Sequence, residues 1–134
     1  MNKTGKNYKV ISVGDIQAKG RVTLHSDLSL TGSEISINEL PAGASVPFVH
    51  SHKQNEEVYI VIKGKGRFYV DGDEFDIEEG SVIRVDPDGQ RCIAADSKVP
   101  IRYICIQTQR NSLAQFTEKD GVIHQNIKPS WLKS

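Results

Sequence analysis

The chain has 134 residues, and its 17 Lys and Arg balance 17 Asp and Glu, so the formal net charge is zero. That length fits one domain with a modest core, and the even balance lacks the basic excess of a nucleic-acid footprint. No apolar run approaches a bilayer span, and the opening residues Met1 to Tyr8 lack the apolar core of a secretion signal. A cytoplasmic protein with no membrane or nucleic-acid partner is expected. Two cysteines, Cys92 and Cys105, do not make a disulfide framework and are read as free thiols.

In chain order, Tyr8 to Val13 is rich in β-branched residues and predicts a first short strand after a polar start. Gly14 to Gly20 reads as a connection, Arg21 to His25 as a second strand and Ser26 to Gly32 as a loop. His25 stands alone there and is expected at the surface or on a rim. Ser33 to Leu40 is a clear strand, with Ile35 and Ile37 on one face and Ser36 and Asn38 on the other. After Pro41-Ala-Gly43 come predicted strands at residues 57–63, 67–70, 74–77, 81–85, 90–94 and 99–107. Gly64-Lys-Gly66, Asp71-Gly72-Asp73, Glu78-Glu-Gly80 and Pro87-Asp-Gly89 separate most of them. About nine short strands without a long helical period predict a compact all-β sandwich or barrel. The tail from Ser112 to Thr117 suggests a turn of helix, and Trp131 is expected to pack on the barrel or on a neighbouring subunit.

The chemistry concentrates between Gly43 and Gly64. His50 and His52 are two residues apart, so an extended strand aims both imidazoles at one volume. Glu57 follows after four intervening residues, enough for a short loop and the start of the next strand. Two imidazoles and a carboxylate suit a transition metal such as Zn, Fe, Mn, Ni or Cu. Glu56 competes for the third place. Glu57 shares strand parity with Tyr59 and Val61 and is taken as the ligand, with Glu56 facing outward.

The order Gly43, six residues, His50-x-His52, four residues, Glu57, six residues, Gly64 resembles the first motif of the cupin family, with one residue more before the first His. Gly80, six residues, Pro87-x-Gly89, two residues, Cys92, three residues and Asp96 resembles the second. Cys92 stands where that family places its last metal-binding His. The resemblance implies a single-domain double-stranded β-helix, a cupin jelly-roll barrel spanning about residues 30–110 with short N- and C-terminal extensions. It implies one divalent metal at His50, His52 and Glu57, with Cys92 as a possible fourth ligand. Family practice also implies a homodimer. If Glu57, Tyr59 and Val61 face the cavity, Val58, Ile60 and Ile62 face away and need a cover. A second copy or the chain's own N-terminal strands can provide it.

Cys92 decides between two chemistries. A bound thiolate makes the site formally neutral and favours Zn, with a sulfur that oxygen chemistry would endanger. Without it, two His and one carboxylate leave positions open for substrate and fit Fe, Mn, Ni or catalytic Zn. As a simple packing residue, Cys92 would fill the barrel, the role expected for Cys105. Tyr59, Tyr69 and Tyr103 are candidate pocket walls, and Arg84 and Arg91 candidate partners for a substrate carboxylate or phosphate. The expected function is metal-dependent chemistry on a small anionic molecule, of oxygenase, isomerase or hydrolase type. The competing expectation is a non-catalytic barrel that binds or senses a metal or small molecule.

Overall fold

A computed structural model describes residues 1–132. Two short strands, β1 (Lys3–Thr4) and β2 (Lys9–Val10), pair with each other as a separate ribbon. A four-residue helix α1 (Ile16–Lys19) follows; the Asp15 side chain caps its start and Gly20, at φ 73°, ends it. Strand β3 (Arg21–Thr23) leads into a second short helix, α2 (His25–Leu28), and both helices occupy stretches expected to be irregular or extended. The barrel is built from β4 (Glu34–Leu40), β5 (Asn55–Val70), β6 (Asp73–Glu78), β7 (Val82–Val85), β8 (Arg91–Ala95) and β9 (Ile101–Gln109). The chain is an all-β double-stranded β-helix. Among the described residues its tail has one 3-10 turn, at Glu118–Asp120, later than the helical turn expected at Ser112 to Thr117. Among the described residues no helix is long and apolar enough to cross a membrane.

Strand β5 organises the fold. Two strands were expected on either side of Gly64-Lys-Gly66; instead one strand of 16 residues runs through them, with a register shift between Val61 and Lys63. Its first half pairs with β7 and β9, and its second half pairs with β6 and β8. At Gly64 the backbone has φ 80°, and a Cβ there would overlap the Pro100 carbonyl; a Cβ at Gly66 would overlap the Ala94 carbonyl. Missing side chains, rather than a turn, let the strand pass between its neighbours.

Strand alternation sorts the side chains into two faces. The inner face carries Ser36 and Asn38 of β4, Glu57, Tyr59 and Val61 of β5, and Ile101, Tyr103 and Cys105 of β9, all buried. Phe68, Ile77, Val85 and Ile93 complete the core. The outer face of the β4–β9–β5 sheet carries Ile35, Ile37, Ile104, Ile106, Val58 and Ile60, half-buried and paired across the strands. Polarity is therefore partly inverted, with hydrogen-bonding groups inside one end of the barrel and aliphatic groups outside it.

Candidate metal centre

His50 and His52 lie in the segment that enters β5. An isolated bridge ties His50 to Arg91 through both backbone bonds, and the His52 N–H donates to the Pro87 carbonyl at 2.9 Å. Glu57 points inward from β5 and is 3% exposed, so its carboxylate has lost its water and must be satisfied by protein groups. Each of the three residues offers one ligand atom within 4.8 Å of the others. The imidazoles meet edge to face, with centroids 5.1 Å apart.

Glu57 is held from several sides. The Tyr59 hydroxyl donates to Oε1 at 2.8 Å, the Arg91 guanidinium donates to the same oxygen at 3.0 Å, and the Cys105 thiol donates to Oε2 at 3.3 Å. Burial pushes the Tyr59 hydroxyl and the Cys105 thiol well up from their ordinary ranges, with the Glu57 charge adding to it, so both remain protonated donors. Tyr103 is pushed up to about 12 chiefly by burial. Burial lowers the His50 pKa, Glu57 opposes this, and Arg91 reinforces it. The neutral imidazole that a metal requires is thereby favoured. His52 Nε2 stands 3.2 Å from Glu57 Oε2, an ion-pair distance without hydrogen-bond alignment, and it remains unbonded, as does the buried His50 Nδ1. His50 Nε2, 3.8 Å from Glu57 Oε1, and the unbonded His52 Nε2 beside the same carboxylate form a donor set that fits a metal ion.

The site forms the wall of a cavity of about 190 Å³, open at one side. Tyr59 and Tyr103 line it, together with Arg21, Asn38, Val46, Phe48, Ile93, Cys105 and Gln107. Tyr69 does not: it follows the inward Phe68 and takes the opposite face of β5. Arg84, whose side chain is 70% exposed, pairs with Asp86 outside the cavity because the next residue, Val85, is the inward one. The structure does not bring Cys92 into the ligand group. Arg91 and Ile93 point inward from β8, so Cys92 between them faces away, and its thiol donates to the Val46 carbonyl at 3.2 Å. Arg91 has no exposed surface and is committed to Glu57 and to the Asp86 carbonyl, rather than to a free anion. Cys105, expected only as core, touches the Glu57 carboxylate. Arg21, Asn38 and Gln107 were not singled out in the sequence; their approach depends on cross-strand register, which no local motif records.

The family model described as a cupin domain matches residues 36–107. The chain belongs to the cupin family. A cupin protein of Bacteroides fragilis is 50% identical and superposes with a TM-score of 0.84, covering 90% of this chain and 99% of that one. A cupin-like protein of Thermotoga maritima, 22% identical, has a TM-score of 0.60 over 75% of this cupin and 79% of its own length. A structure from the same organism titled a predicted oxalate decarboxylase is 24% identical, with a TM-score of 0.52 over 56% and 64% of the two chains. An uncharacterized protein of Methanocaldococcus jannaschii is 27% identical over 66 residues, 49% of this cupin and 52% of that relative, so the match spans about half of that protein's length.

Proposed function

We propose that this cupin binds one divalent transition metal through His50, His52 and Glu57 and uses it to hold and transform a small anionic molecule. The observation that carries the reading is the convergence of one ligand atom each from His50, His52 and Glu57 within 4.8 Å, with His52 Nε2 buried and unbonded, on the wall of an open cavity. Three protein ligands leave coordination positions for a substrate, and a metal bound there would supply Lewis-acid polarisation or an activated water. Because the Cys92 thiol is engaged with Val46, the donor set is nitrogen and oxygen only, which suits Fe, Mn, Ni or Zn. The fold-sharing protein named a predicted oxalate decarboxylase would act on a small dianion, in keeping with this substrate class.

A second reading, a non-catalytic binding or sensing barrel, is favoured by Arg91. Its guanidinium already neutralises Glu57 and competes with a metal for the carboxylate. Elemental analysis of the purified protein separates the two. About one metal per chain is expected in the wild type and in Cys92→Ser, and binding at least about tenfold weaker in His52→Ala, with its β circular dichroism retained. Full occupancy in His52→Ala would refute the ligand assignment, and a wild type that takes up no metal would leave the binding-barrel reading.

The proposal includes a homodimer. The half-buried isoleucines outside the β4–β9–β5 sheet form a continuous apolar face, and the tail carries exposed Leu113, Phe116, Ile123 and Trp131. Trp131, at 79% exposure, does not pack on its own barrel, which supports a neighbouring subunit as its partner.

A further inference from the structure

We infer that Arg21 is the anion anchor of this cavity, gripping one carboxylate of a small acid whose remaining oxygens reach the His50–His52–Glu57 group. The inference rests on the metal-pocket reading above and narrows its substrate class. The chain has arginines at six positions, and five are already neutralised. Arg67 pairs with Glu74 and Asp76, Arg84 and Arg110 pair with Asp86, Arg91 with Glu57, and Arg102 with Glu39. Among the described residues, Arg21 alone of the six lacks a carboxylate within 4.0 Å.

Its position makes that freedom useful. Arg21 of β3 lies directly opposite Asn38 of β4 on the same sheet face, and both line the cavity beside His50, Asn38 buried and Arg21 exposed. Its positive charge is felt at His50, Tyr103 and Cys105. Glu57 is the one acid in the lining, and Arg91 already faces it. Glu57 and Arg91 cancel, so a metal and Arg21 together leave the cavity strongly positive, and a ligand must bring the compensating charge.

The guanidinium fork matches the two oxygens of a carboxylate in plane, which a single point charge would not. A volume of about 190 Å³ is below the ordinary range for drug-sized ligands, so the acid has only a few carbons. A second acidic or keto oxygen on the same molecule would then lie within reach of the metal group.

The test is calorimetric titration of oxalate, malonate, succinate and inorganic phosphate into the wild type, R21Q and R67Q, each with its metal content measured. The expected result is saturable binding of at least one dicarboxylate by the wild type, about tenfold or more weaker in R21Q, and unchanged in R67Q. Imidazole, a neutral metal ligand, should bind the wild type and R21Q alike. Equal dicarboxylate affinity in R21Q and the wild type overturns the anchor, as does the absence of saturable dicarboxylate binding. Phosphate binding tightest, with loss in R21Q, overturns the carboxylate assignment. Failure to load metal sinks the metal reading separately, and an Arg21-dependent dicarboxylate affinity in that metal-free protein would still support the anchor.

Discussion

Arg91 sets the electrostatics of the centre. A guanidinium with no exposed surface, 3.0 Å from a carboxylate that is itself 3% exposed, is a desolvated pair whose partners depend on each other. Removing the cation should cost about 3–5 kcal/mol, because it leaves Glu57 buried and uncompensated. Arg91→Met is therefore expected to melt well below the wild type when stripped of metal, and to recover much of the loss when metal is added as a substitute cation. Equal melting of the two stripped proteins would mean that the pair adds nothing. His50, His52 and Glu57 were legible from spacing alone, since strand parity aims them together. Arg91 and Cys92 were not separable in that way: the Pro87-x-Gly89 frame counts forward to the sulfur, and only the pleat of β8 turns the guanidinium inward instead.

Among the elements, β5 does the work of two strands. The pair of glycines read as a turn in the sequence, and glycine does mark turns, but here the same absence of Cβ serves a close backbone crossing. Local sequence cannot distinguish the two uses, because the carbonyls of Ala94 and Pro100 that demand the space are far away in the chain. Gly66→Ala should destabilise the barrel by about 1–3 kcal/mol, the usual cost of forcing extra atoms into a packed site. Chemical denaturation checks this; an unshifted midpoint would mean that β5 and β8 can separate freely at that point. The short helices α1 and α2 escaped notice because four residues carry too little periodicity to reveal a helix.

For the molecule as a whole, the all-β barrel was readable from alternation and punctuation, and so was the inward face of β5, whereas the inward face of β4 was not. Ser36-Ile37-Asn38 would ordinarily send the isoleucine to the core. Here the serine and asparagine are buried and the isoleucine joins the outer sheet face, because the interior at this end is a cavity that uses polar walls. The aliphatic exterior is the face on which the proposed homodimer rests. Ile60, paired with Ile104 and Val82, lies within that face, and Ile60→Lys is expected to convert a dimer to a monomer in sedimentation equilibrium without loss of β structure. A wild type that sediments as a monomer would remove the homodimer.

The centre is also mechanically uneven. Glu57 belongs to the strand that every barrel neighbour grips, while both imidazoles ride on a connecting segment fastened by His50 and Arg91 to each other's backbone and by His52 to Pro87. One jaw of the clasp belongs to a continuous ladder and the other is sewn on by separate bonds, with further ties at Gly43, Ala44 and Val46 before it and at Gln54 after it. Because Arg91 is tied to His50 through both backbone bonds, a shift of the imidazole segment at that bridge bears on the guanidinium that counters Glu57 as well.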